Sequence, residues 1–154
     1  MLVMTAKVDK KKIAIILGAI VLAVIGLVVL LSGGDSVTTG AGSVASNDDR
    51  VNFLSSFGWE VTNSPVESSQ VRIPEDSSEV FDRYNALQKS QGYDLTNHAG
   101  DTVMRYVYQI NNYPGATEPV YATILISKNQ VIGGDITDTA ARGVIRGFKM
   151  PSSN

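Results

Sequence analysis

Cysteine is absent from this 154-residue chain. Its absence excludes a disulfide scaffold, a thiolate metal site, a cysteine nucleophile and the lipidated-cysteine anchor of bacterial lipoproteins. Histidine is nearly absent: His98 stands alone, in a polar loop beside Asn97 and Asp101, and reads as a solvated loop residue. Metal and triad chemistry need His, carboxylate or Ser partners in recognisable patterns, and H-x-x-x-H, H-E-x-x-H and G-x-S-x-G are all missing. The spacing and the Lys of a phosphate-binding Walker loop are missing too, so no cofactor, no metal and no catalytic residue is implied. Positive charge is scarce where nucleic acid would require it: from Asn47 onward nine Lys and Arg face thirteen Asp and Glu. A phosphate-binding surface needs a clustered basic footprint, so nucleic acid is not an expected partner.

What the chain does have is one long apolar run, Ile13 to Leu31, nineteen residues with no charge and no strong hydrogen-bonding side chain. As a helix it is ~28 Å long, close to the ~30 Å hydrocarbon thickness of a bilayer, and it reads as a single membrane span. A buried core helix, apolar on every side, would need a larger and less polar domain around it than the residues that follow. The head, residues 1–12, carries Lys7, Lys10, Lys11 and Lys12 against Asp9. Basic residues beside a span stay in the cytoplasm, which places the amino terminus inside and the carboxyl terminus outside the cell membrane. Signal-peptide apolar cores run to ~7–15 residues with cleavage soon after. The only good small-x-small cleavage site here, Ser43-Val44-Ala45, ends fourteen residues beyond Leu31. An uncleaved anchor is the expectation. Ala19 and Ala23 have the small-xxx-small spacing of helix-dimerising spans, a spacing that is also common in spans generally.

Residues 32–46 contain ten Gly, Ser or Thr in fifteen positions, which predicts a flexible tether. The domain, 47–154, then opens with Asn47 as a helix cap and an amphipathic stretch at 48–57 (Val51, Phe53, Leu54, Phe57) ending before Gly58. A first strand is expected from Val66 to Ile73. A second helix is expected at 78–91, with Val80, Phe81, Tyr84 and Leu87 on its apolar face. From Val103 to Ile110 the residues alternate as a strand, and further runs follow from Val120 to Ser127 and from Val131, joined by a tight Lys128-Asn129-Gln130 turn. The order α-β-α-β-β-β predicts an α+β fold with both helices on one face of an antiparallel sheet. The tail from Thr139 stays open: Arg142, Arg146 and Lys149 fall at helical spacing, while Gly143, Gly147 and Pro151 oppose a helix.

Five stretches carry a family likeness: Phe57-Gly58-Trp59-Glu60-Val61, Ile73-Pro74, Tyr84 through Leu95, Asn112-Tyr113-Pro114-Gly115 and Val131-Ile132-Gly133-Gly134-Asp135. In that order they resemble a bacterial family known as domain of unknown function 4830, over about residues 51–137. The resemblance implies an N-terminal apolar segment in similar members and implies no activity. This chain departs from the pattern after Asp135.

The candidate surfaces follow from the predicted elements. Gln88, Lys89 and Gln91 fall off the apolar face of the second helix and form a candidate recognition surface. Tyr84, Tyr106 and Tyr108 form either ordinary core or an aromatic-lined groove for a peptide or glycan. Gly133-Gly134-Asp135 reads as a bulge or turn. Two functions remain for the domain itself, beside a third reading in which it merely stabilises a complex assembled through the span. One is a membrane-anchored extracytoplasmic binding module with an unknown protein or envelope partner. The alternative is a cell-envelope enzyme with a carboxylate pair drawn from Glu60, Glu67, Asp94 and Asp135.

Overall fold

The computed structural model describes residues 43–152. The head, the apolar run, the Ala19/Ala23 face and the tether up to residue 42 lie outside the described residues. Among those described, no helix is long and apolar enough to cross a membrane.

The described residues already belong to the folded unit at Ser43, four residues before the predicted boundary. Val44 is buried, its N–H donates to the Asn129 carbonyl at 2.8 Å, and Ser43 bridges to Gln130. The end of the Gly/Ser-rich stretch is therefore docked on the domain, and the Ser43-Val44-Ala45 triple lies inside it. Helix α1 spans Asn47–Ser55, and its cap is Ser46. Ser46 Oγ accepts from the Asp49 N–H at 3.1 Å, and the Asp49 carboxylate accepts from the Ser46 N–H at 2.9 Å. This reciprocal box satisfies two of the helix's orphan donors. Asn47, the predicted cap, is released to bond the Asn63 carbonyl and the Tyr108 hydroxyl.

The sheet is a five-stranded antiparallel meander in the order β1 (Glu67–Arg72), β2 (Thr102–Ile110), β3 (Val120–Ser127), β4 (Gln130–Asp138) and β5 (Ile145–Arg146). Lys128 and Asn129 both adopt positive φ, 50° and 60°, the signature of the two-residue turn whose twist matches its flanking strands. A bulge between Leu125 and Ile126 shifts the β3–β4 register. Helix α2, Glu79–Ser90, is capped by Ser78 and precedes a 3-10 turn at Leu95–His98.

The two helices cover opposite faces of this sheet, which corrects the one-faced arrangement read from the sequence. One face of β2 carries Tyr106, Tyr108 and Ile110, which pack with Ala122, Ile124, Ile136 and Leu54 of α1. The other carries Val103, which packs with Leu125, Ile132, and Phe81 and Tyr84 of α2. Strand β3 is buried from Val120 to Ile126, as a central strand covered on both sides must be.

The tail is extended, not helical. After β4 the chain turns over six residues, adds β5 to the β4 edge and inserts Phe148 into the α1 layer against Phe53 and Phe57. Trp59 locks this end by donating its indole N–H to the Phe148 carbonyl at 2.6 Å.

Candidate binding cleft

The β3–β4 turn and the start of β4 form one wall of a cleft, and the loop from Gly92 to Asp101 forms the other. The cavity between them is about 410 Å³, lined by Tyr93, Asp94, Asn97, His98, Asp101 and Lys128 among others. A second depression of about 330 Å³ shares Asp101, Ser127 and Lys128 with it. Both fall in the ~300–1,000 Å³ range of small-ligand sites.

The loop wall is held by hydrogen bonds that the local sequence dictates. Asp94 caps the 3-10 turn: its Oδ1 accepts from the Thr96 hydroxyl at 2.6 Å, the Asn85 carboxamide at 2.9 Å and the Thr96 N–H at 3.0 Å. Asn85 also accepts from the Leu95 N–H at 2.8 Å, so α2 positions the turn directly. The bonds from Thr96 and Asn85 hold the Asp94 carboxyl well below the usual carboxylate range, so it is a fixed anion. Its second oxygen faces Lys89 at 3.5 Å. His98 Nδ1 lies 3.4 Å from Asp101 Oδ2, with both side chains partly open to the cleft. The arrangement offers a fixed carboxylate, a carboxamide, an imidazole beside a carboxylate, an ammonium and a half-buried phenol ring. Such a set can orient a polar ligand through several donors and acceptors at once.

Of the three candidate recognition residues, the structure leaves one outside. Gln88 is fully buried, its Oε1 accepting from the Gly134 N–H at 2.8 Å. Gln91 is half-buried and bonds Gly134 O and Phe148 N. Lys89 alone is exposed. The correction has a simple cause: the buried stripe of α2 is Phe81, Tyr84, Asn85 and Gln88, while Val80 is 49% exposed. The stripe is rotated from the predicted one because Gln88 turns inward to the Gly134 N–H and Asn85 to Asp94 and the Leu95 N–H.

The three candidate tyrosines do not meet. Tyr84 lies on the α2 face, while Tyr106 and Tyr108 lie on the α1 face. The Tyr108 hydroxyl accepts from Arg50 Nε at 2.9 Å and donates to Asn47 Oδ1 at 3.0 Å, and the Arg50 guanidinium sits 3.8 Å from the Tyr106 ring centroid. No shared aromatic groove exists among them.

Of the four candidate carboxylates, Glu67 and Asp135 both interact with Arg105, and the other two lie elsewhere. Asp94 borders the cleft, and Glu60 lies in the loop leaving α1. Glu67 pairs with buried Arg105 at 2.5 Å. Asp135 is sealed inside, accepting from the Thr137 hydroxyl at 2.6 Å and the Tyr84 hydroxyl at 2.8 Å. This interior polar network went unread in the sequence; its signal was Arg105, a charge at an inward-facing strand position between Val103 and Val107. Among the described residues no three His, Cys, Asp or Glu are grouped to hold a metal ion.

Burial raises the Asp135 carboxyl above its ordinary value of 3.8, only partly offset by the Thr137 and Tyr84 hydrogen bonds and by Arg105. In the window above 3.8 the folded state then holds more protons than the unfolded chain, so this group's contribution to stability falls as pH rises. Asp135→Asn keeps the shape and removes the ionisation. Urea midpoints of wild type and variant, measured side by side from acid to neutral pH, are expected to shift steadily in favour of Asn as pH rises. Parallel curves would show that Asp135 does not titrate in the folded chain.

The family model described as Domain of unknown function (DUF4830) matches residues 53–136. That span runs from α1 through β4 and includes the loop wall and the hairpin turn of the cleft. No curated protein and no solved structure matches the chain.

Proposed function

The chain belongs to the family named Domain of unknown function (DUF4830), and from that premise we propose that it is a ligand-binding module held at the outer face of the cell membrane. The run Ile13 to Leu31 would anchor it with the basic head inside, and the residues up to 42 would tether the domain to the span. The observation that carries the binding role is the polar cleft, whose walls come from two separate segments and whose Asp94 is fixed by three hydrogen bonds before any ligand arrives. Preorganised polar groups lose little freedom on binding, which is what separates a site from a solvated loop.

The test is the amide spectrum of the full chain in detergent micelles, recorded with and without a soluble fraction of cell-envelope extract. Shifts concentrated at Asn97, His98, Asp101, Ser127 and Lys128, and lost in Lys128→Glu, are expected. Shifts scattered over the surface, or none at these residues, would contradict a site in the cleft.

A further inference from the structure

The cleft and the second depression share Asp101, Ser127 and Lys128, so together they make one elongated site of two compartments. Its charges balance: the carboxylates of Asp94 and Asp101 stand against the ammonium groups of Lys89 and Lys128. Each carboxylate also has a nitrogen base beside it already, Lys89 Nζ at 3.5 Å from Asp94 and His98 Nδ1 at 3.4 Å from Asp101. A ligand with net charge meets no excess of the opposite sign here, so the Coulomb attraction that would hold a phosphate or a polyamine is largely cancelled.

Hydrogen bonding, by contrast, is offered in both senses. The first compartment sets acceptors, Asp94 and Asp101, beside the Asn97 carboxamide and the Lys128 ammonium. The second adds the Gln70 carboxamide and the hydroxyls of Thr102 and Ser127. A hydroxyl is the small uncharged group that donates to a carboxylate and accepts from an ammonium or a carboxamide through a single atom. Each compartment has an apolar part as well: half-buried Tyr93 with Ile132 in the first, half-buried Met104 with Ile126 in the second. An aromatic side chain with a polar tip suits a ligand that is itself apolar on one side and polar on another. Hydroxyls around a rim and C–H groups on the faces are the anatomy of a sugar ring. At about 410 and 330 Å³ each compartment is of small-ligand size.

Resting on the binding role given to the cleft above, we propose that its ligand is a neutral saccharide, with one ring in each compartment and Asp101 and Lys128 at the junction between them. The inference adds the chemical class of the ligand and its length.

The test uses the full chain in micelles of a detergent without a sugar headgroup. Backbone amide shifts are followed with the neutral disaccharides cellobiose and N,N′-diacetylchitobiose, with inorganic phosphate and with the diamine putrescine. At least one disaccharide is expected to shift both compartments saturably, at Asn97 and His98 in the first and at Gln70 and Met104 in the second. The matching monosaccharide should bind about ten-fold more weakly, having lost one ring's contacts. Affinity for the disaccharide should hold constant from about 20 to about 500 mM salt, since no net charge is neutralised. Asp101→Asn keeps an acceptor and removes the charge, so it should weaken the disaccharide by less than about ten-fold. Shifts from phosphate or putrescine with none from either disaccharide would overturn the saccharide and leave the cleft's binding role standing. So would disaccharide silence at residues that envelope extract does shift, whereas silence with the extract too would overturn both. Disaccharide binding that fades with salt, or that Asp101→Asn abolishes, would also contradict a neutral ligand.

Discussion

Gly134→Ala is expected to lower the stability of the domain by about 3 kcal/mol, the upper end of the usual cost of overpacking. The new methyl would lie 2.2 Å from the Thr123 carbonyl and 2.3 Å from the Phe148 ring. The ring has room to move only by leaving its slot between Phe53 and Phe57. The carbonyl belongs to the central strand β3 and cannot move without opening the β3–β4 ladder. Gly133→Ala is the control: its methyl would meet the far end of the Gln88 side chain at 2.9 Å and Leu95 at 3.3 Å, contacts that side chains can relax. A cost of about 1 kcal/mol is expected there. Urea denaturation of both variants should separate them; equal losses would mean that the Thr123 carbonyl and the Phe148 ring do not crowd Gly134 as described.

Gln88→Ala is expected to cost about 2–3 kcal/mol, through a buried N–H left without its acceptor and the void left by the lost side chain. The N–H is that of Gly134, which the Gln88 carbonyl oxygen accepts at 2.8 Å. Lys89→Ala, one residue on, should stay within about 0.5 kcal/mol because its pair with Asp94 is long and solvated. A thermal-unfolding comparison checks the contrast directly. Were Gln88 part of an exposed recognition surface, its loss would change binding and leave stability alone.

That contrast also shows where the sequence was legible and where it was not. The strands β2 to β4 and their turns were readable because period-two alternation and the Lys128-Asn129 turn are local signals. Helix α2 was placed to within a residue at each end, since Ser78 and Gly92 mark its limits chemically. Its facing was misread, because a stripe of Phe81, Tyr84, Asn85 and Gln88 is only half apolar. Two of those positions satisfy polar groups, Gly134 and Leu95 N–H, that only the fold brings near. The split of the helices between two faces was written in the run from Val120 to Ile126, apolar at every position but Thr123, which a sheet covered on one side would have alternated. The cleft was out of reach: Asp94 and His98 share one loop, and only the fold sets Lys128 of the β3–β4 turn opposite them.

The amount of order in residues 43–46 bears on the anchor as well. With Val44 in the core and Ser46 capping α1, no slack remains between the domain and residue 42.

The most direct test of a tethered module outside the membrane exploits the absence of cysteine. A single Asn97→Cys, at an exposed position on the cleft's loop wall, supplies the only thiol in the chain. Intact cells expressing this variant are treated with a membrane-impermeant maleimide, and the labelled protein is sought in the carbonate-washed membrane fraction. The expected result is full labelling before permeabilisation, with the label remaining in the membrane pellet. Labelling only after lysis, or a labelled protein that washes free of the membrane, would contradict the account.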